Sequence, residues 1–186
     1  MGKRGSVTMG NSFDRGRLIE KDSLRELYPY LCARFNRLTE ITELDQQRTL
    51  GDFSYYESHS IKYLELKSEL ENKYDNLFIE TWSNKDKGIK GWFDKLKADT
   101  LGYHFIKNKI FYLIPFNDLK NLLHCKWDGK SIIEYFPEKP QYKYDQDNNS
   151  FGRCVPIKLI LGKLNVEVYD LNNGTKRTSK ASHRKD

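Results

Sequence analysis

Apolar positions recur along this chain with two different periods. Leu24, Leu27, Tyr28, Leu31 and Phe35 fall at i, i+3, i+4, i+7 and i+11, which predicts a helix with one apolar stripe. Ser23 and Glu26 have capping-box spacing at its expected start, and Pro29 sits awkwardly inside it unless it opens a second helical segment. From Arg48 the texture changes to period two in "RTLGDFSYYE", "SIKYLELKS" and "NLFIETWS", three strands joined by short polar connections. The loop "NKDKGIKG" leads into a short helix at "WFDKLKAD". "TLGYHFI" and "KIFYLIP" read as a hairpin, followed by a helix at "NDLKNLLH". Beyond a polar stretch from Trp127 to Arg153, a last strand pair is expected at 155–161 and 164–171, turning at Gly162 and Lys163.

These elements divide the chain into a poorly ordered lead-in (1–20), an α/β core (21–126), an extension carrying a strand pair (127–173) and a basic disordered tail (174–186). A length of 186 residues suits one domain with its own core. Cys32, Cys125 and Cys154 are odd in number and widely spaced, which suits free thiols in a reducing compartment. The N-terminal residues lack a signal-peptide core, and no later run approaches the ~18 to 20 apolar residues of a membrane span. A cytoplasmic protein without a membrane partner is therefore expected. The net charge of +6 raises the prospect of an anionic partner only modestly. No two histidines have metal-ligand spacing, and His104 reads as a core residue.

One strand departs from its pattern. In "IKYLELKSEL" Leu64 and Leu66 share a face, while Ile61 and Tyr63 begin the other as apolar residues before Glu65 and Lys67 interrupt it. A tight turn at Ser58 and His59 would place Asp52 opposite Glu65. A symmetric return through 69–76 would place Glu80 opposite Glu65 as well. Asp52, Glu65 and Glu80 would then form a row across three strands, with Lys67 ~7 Å along from Glu65. Like charges so placed repel and burial worsens the penalty, so a compensating cation is required. Two carboxylates, water and a substrate phosphate suit Mg²⁺, with Mn²⁺ as a substitute. Such an ion can activate water and stabilise the charge that develops on a phosphodiester, with Lys67 neutralising the transition state. The plain alternative is a row of exposed charge pairs, which contribute only ~0 to 1 kcal/mol each.

These residues resemble the PD-(D/E)XK nuclease superfamily over roughly 23–115, through the opening helix, "GDFSYYESHSIKYLELKSE", "NLFIETWSN", "GWFDKLKAD" and "TLGYHF". The run "LFIETWSN…GWFDKLKAD" is similar to small nuclease-like proteins of phage genomes, which would place the chain in a host cytoplasm. The resemblance implies a restriction-endonuclease-like αβββαβ core, a mixed central sheet flanked by helices, with a C-terminal β extension. It also implies Asp52 and Glu65 as Mg²⁺ ligands, Lys67 as the catalytic lysine and Glu80 as an accessory acid. Gly51 stands where the motif has proline. Glu26 could be the acid that the first helix sometimes supplies, although its capping position already explains it.

Lys85, Lys87, Lys90, Lys95 and Lys97 cluster after the third strand, interleaved with Trp82 and Trp92. Near a metal site they could neutralise flanking phosphates, while the tryptophans read better as core. The tail from Lys176 to Lys185 would add attraction without sequence readout. The expected function is a Mg²⁺-dependent nuclease acting on nucleic acid, with DNA as the expected substrate and a homodimer as one available assembly. The alternative is a catalytically silent nucleic-acid-binding or host-interaction protein with the same fold.

Overall fold

The structure is a computed structural model that describes residues 12–141 and 149–179. Helix α1 (Ser12–Arg34) is followed by β1 (Asn36–Glu40), α2 (Leu44–Leu50) and the strands β2 (Phe53–Glu57), β3 (Ser60–Glu69) and β4 (Asn76–Asn84). Next come β5 (Ile89–Lys90), the short α3 (Trp92–Lys95), the hairpin β6 (Thr100–Phe105) and β7 (Ile110–Pro115), and α4 (Phe116–His124). A small hairpin, β8 (Lys126–Trp127) and β9 (Lys130–Ser131), precedes a 3-10 turn (Ile132–Tyr135) and β10 (Glu138–Pro140). The chain continues through β11 (Phe151–Pro156), α5 (Ile157–Lys163), β12 (Glu167–Asp170) and β13 (Thr175–Thr178).

Seven strands form the main sheet in the order β1-β2-β3-β6-β7-β12-β13. Every neighbouring pair is antiparallel except β3 and β6, which run parallel, so the sheet is mixed. Helices flank it, as the α/β class expected from the sequence requires. The order α1, β2, β3, β4, α3, β6 follows the expected αβββαβ core, with β1 and α2 inserted after the first helix. Among the described residues, no helix is long and apolar enough to cross a membrane.

Each face of the main sheet buries its own cluster. On one side Leu27 and Leu31 of α1, with Phe35 just beyond it, pack on Phe53, Leu64, Phe111 and Tyr169. On the other, Leu101, Tyr103, Phe105 and Ile114 meet Phe93, Phe116 and Ile160 from the helices. That second side is also covered by a four-stranded sheet ordered β10-β11-β4-β5, whose Leu77, Ile79 and Val155 point inward. Alternation along β3 therefore sends Leu64 and Leu66 towards α1, and Glu65 and Lys67 towards the second sheet.

The first turn follows the sequence closely. Ser58 and His59 both have positive φ, at 50° and 65°, as a two-residue hairpin of matching twist requires. Phe53 pairs with Leu64, where the ladder ends, and Asp52 just before it donates its N–H to Leu64 O. The second expected hairpin does not form. The neighbour of Glu65 on its other side is Leu101 of the parallel β6, and Glu80 pairs with Gly152 of β11 in the second sheet. The proposed row of three carboxylates is thus two residues in one sheet and a third in another. The cause lies far away in sequence: β6 takes the edge of β3 that β4 would have needed, and the inward Leu77 and Ile79 are buried by stacking β4 over β6. The Tyr103 hydroxyl marks that stacking, because the backbone N–H of Phe78 donates to it across 3.1 Å.

Further expectations are corrected. Helix α1 begins at Ser12, inside the segment expected to be irregular, so Ser23 and Glu26 lie mid-helix and form no cap. Pro29 does not end it, because it lies on the exposed side where the carbonyl it leaves unpaired can meet water. Arg48 to Leu50 close α2 and are not strand. The stretch expected as a strand from 155 turns helical at Ile157, since Pro156 suits the position before a first turn and Ile157, Ile160 and Leu164 share one buried face. Its successor β12 pairs with β7, so the C-terminal region completes the main sheet and is no appendage. Within the tail expected to be disordered, Thr175–Thr178 is strand β13, while residues 180–186 lie outside the described residues, as do residues 1–11 of the lead-in.

Candidate active site

Asp52 is held from three directions at the entrance to β2. Its N–H donates to Leu64 O at 2.9 Å, its carbonyl accepts from Ile41 N at 2.8 Å, and its Oδ2 accepts from Leu66 N at 2.8 Å. That last bond has a topological origin. β2 pairs with β3 only as far as Leu64, so the amide of Leu66 faces an edge without a strand, and the carboxylate of Asp52 takes the strand's place. Gly51 permits the approach. Its φ is 121°, and a Cβ there would stand 2.7 Å from Leu64 O. Proline, fixed near −65°, has no access to that conformation, which accounts for the departure from the motif.

Glu65 is 4% exposed and forms an ion pair with Lys67. Burial pushes its carboxyl up to about 7, with Asp52 and Glu20 pushing further and Lys67 pulling back. The Asp52 carboxyl is also raised by burial, against the pull of Lys67 and the Leu66 amide. Burial by itself would depress the Lys67 ammonium, but Glu65, Asp52 and Glu20 together hold it above its ordinary value. Its Nζ also lies 5.7 Å from the centre of the Trp92 ring. Two half-desolvated carboxylates and one ammonium thus share a single electrostatic neighbourhood beside an open strand edge. Such a set can bind a divalent cation through oxygen, hold a phosphate oxygen through the ammonium, and orient water between them.

Glu80 does something else. Its Oε1 accepts from Trp92 N at 3.1 Å and its Oε2 accepts from the Ser150 hydroxyl at 3.1 Å. It fixes the first residue of α3, and Trp92 in turn faces Lys67. Glu80 therefore reaches the cluster through the tryptophan. Among the described residues, no three Asp, Glu, His or Cys side chains converge on one ion site.

Glu20 is the acid that the sequence reading missed. It raises the proton affinity of both Glu65 and Lys67 and lines a groove of about 740 Å³ with Lys21, Gln47, Asp52, Leu66 and Ser68. The signal was present: Glu20 precedes Leu24, Leu27 and Leu31 at helical spacing, on the face that meets the sheet. Treating 1–20 as lead-in hid it. Glu26, considered for this role, is instead paired with Lys109 at 2.6 Å.

The lysines divide into two groups. Lys85 is paired with Glu138 and lies 4.8 Å from the Phe151 ring centre, and Lys90 stacks 3.9 Å from that of Trp82. Lys87, Lys95 and Lys97 are exposed, and no ion pair engages them among the described residues. Trp82 donates to Glu138 at 3.1 Å, and Trp92 packs edge-on against Phe93, so both tryptophans serve the fold.

The fold is a mixed α/β domain with an acid pair and a lysine at the open edge of a central strand. No protein-family model and no curated protein matches the chain. Among solved structures it is similar to that of a bacterial homing endonuclease, I-Ssp6803I, with 14% identity and a TM-score of 0.34, over 59% of this chain and 69% of that one. That likeness is distant, and the site stands on its own geometry.

Proposed function

We propose that this chain is a Mg²⁺-dependent nuclease that hydrolyses phosphodiester bonds in nucleic acid, with DNA as its substrate. The observation that carries the reading is the junction of Asp52, Glu65 and Lys67 at the uncovered edge of β3, with Asp52 also lining the groove on the α1 side. The carboxylates fit a divalent ion: burial above all, with repulsion from Asp52 added, lifts Glu65 to about 7, a cost that bound cation charge relieves. Asp52 and Glu65 would hold Mg²⁺, with Mn²⁺ as its substitute; the bound ion would supply Lewis-acid stabilisation and an activated water. Lys67, held fully charged by its neighbours, binds the phosphate oxygen that gains negative charge during attack. Glu80 positions Lys67 through Trp92. Glu20 adds a carboxylate on the groove side, and Lys87, Lys95 and Lys97 meet flanking phosphates.

One observation favours a second reading. Lys67 already ion-pairs Glu65, and an internal ammonium can neutralise an acid pair without metal, as in a catalytically silent nucleic-acid-binding protein. Purified protein incubated with circular, linear, single-stranded and branched DNA and with RNA separates the two. Cleavage that needs Mg²⁺ or Mn²⁺ and disappears in Glu65→Gln supports the nuclease. Binding without cleavage in either metal supports the silent protein.

A further inference from the structure

On the face of β3 opposite Glu65 and Lys67 lies a buried polar chain that the proposed chemistry leaves unused. His104 is 0% exposed. Its Nδ1 lies 2.8 Å from Ser23 Oγ, and the Ser68 hydroxyl donates to Ser23 Oγ across 2.6 Å. Ser23 and Ser68 both line the groove that holds Asp52 and Glu20. At the far end, His104 Nε2 is buried without a hydrogen-bond partner among the described residues. Glu26 Oε2 stands 3.8 Å from it, too far for a hydrogen bond, while Lys109 occupies the other carboxylate oxygen. Nε2 therefore meets Glu26 only electrostatically, an attraction that strengthens when the ring is positively charged.

The proton direction along the chain depends on the charge of the ring. With a neutral ring the protons run inward: Ser68 donates to Ser23, Ser23 donates to Nδ1, and Nε2 carries the ring proton towards Glu26. Ser68 then offers the groove only lone pairs, which a phosphate oxygen cannot use. For Ser68 to donate outward, Ser23 must donate to Ser68 and Nδ1–H must donate to Ser23. A neutral ring in that arrangement would aim a lone pair at the carboxylate of Glu26. An imidazolium avoids the conflict: Nδ1–H donates to Ser23, and Nε2–H turns positive charge towards Glu26.

We propose that Ser68 is a contact for a nucleic-acid phosphate in the groove, and that His104, acting through Ser23, is the positioning residue that turns the hydroxyl outward by taking up one proton from solvent as the phosphate binds. This rests on the nucleic-acid reading given above. The groups around the ring fit the role. Ser23 and Glu26 of α1 and Ser68 of β3 accept from or attract the charged form, Lys109 before β7 opposes it, and Phe111 of β7 closes the remaining side with its ring 6.2 Å away. Burial lowers His104 to about 4 in the free protein, so the ring is neutral at neutral pH and has a proton to gain.

The test is a histidine titration by NMR in metal-free protein, free and saturated with a short DNA duplex, with His104→Gln to assign the signal. The midpoint for His104 should rise from about 4 to at least ~7 on binding, roughly a thousandfold gain in proton affinity. In Ser68→Ala, which removes the proposed phosphate contact, the duplex should bind more weakly, and at saturation the shift should disappear. An unchanged His104 midpoint while the amides of Gln47 and Leu66 report an occupied groove would overturn the inference and leave the nucleic-acid reading standing. An equal shift in Ser68→Ala would do the same. A duplex that perturbs no groove residue would overturn both.

Discussion

Gly51 and Asp52 show how a single backbone conformation fixes a chemical group. Because φ at Gly51 is 121° and a Cβ would press on Leu64 O, Gly51→Ala should cost about 1–3 kcal/mol in urea denaturation. It should also shift Asp52 off the Leu66 amide, so cleavage should fall further than the loss of folded protein explains. Lys67→Ala spares the carboxylates yet removes the charge that the proposed mechanism aims at the transition state. Cleavage should drop at least ~10²-fold with little change in DNA affinity. Asp52→Asn and Glu65→Gln should abolish metal-dependent cleavage, and either may be compared with wild type for tighter DNA binding, since each deletes a negative charge beside phosphate. Equal cleavage by all three variants would remove this cluster from the mechanism. The Glu65 carboxyl adds a pH dependence. With its value raised to about 7, its contribution to metal-free stability is present below the ordinary carboxylate range and is lost as pH rises through about 7. A magnesium ion bound at Glu65, as proposed, would have to displace that proton. Its apparent affinity should therefore climb up to ~tenfold per pH unit below about 7 and level off above, a slope that calorimetry should find missing in Glu65→Gln.

Strand β3 owes its role to unequal neighbours. β2 covers it only to Leu64 on one edge, β6 runs beside Leu64 to Glu69 on the other, and the uncovered edge is where the groove lies. The C-terminal elements matter for the same sheet. Val166, Val168 and Tyr169 are buried, and β12 supplies the hydrogen-bonding partner of β7. A chain ended after Lys163 should therefore lose cooperative thermal unfolding, as a core element would. An appendage would be shed without that loss, and calorimetry distinguishes the two outcomes. In the second sheet, Ile79 is fully buried between β4 and the main sheet, and Ile79→Ala should cost about 2–5 kcal/mol.

Charge acts over the full surface, separately from the site. The net charge of +6 includes Lys180, Arg184 and Lys185 beyond β13. Removing 180–186 leaves β13 intact, so binding should weaken similarly for unrelated DNA sequences. Its salt dependence should flatten by up to ~0.9 in log–log slope per cation that contacts phosphate. Affinity measured across a salt series checks this, and an unchanged slope would exclude these residues from the contact.

Local rules carried much of the reading. Period-two alternation identified β3 and β4, the Ser58–His59 turn set the register of β2 on β3 up to Phe53 and Leu64, and the polar interruption at Glu65 and Lys67 marked a departure from apolar alternation in β3. These features depend on residues a few positions apart, and their physics is complete within a hairpin. Glu80 was misplaced because pairing between β3 and β4 was inferred from proximity in the chain, whereas the competing partners β6 and β11 lie tens of residues away. Glu20 was missed for a related reason: a helix is extended by packing against a sheet as well as by its own propensity, and the sheet that stabilises α1 is assembled from strands it precedes. The His104–Ser23–Ser68 chain joins three elements that no short spacing connects. Its residues meet because β3 and β6 run in parallel under α1, an arrangement set by how two apolar faces of one sheet are buried at once.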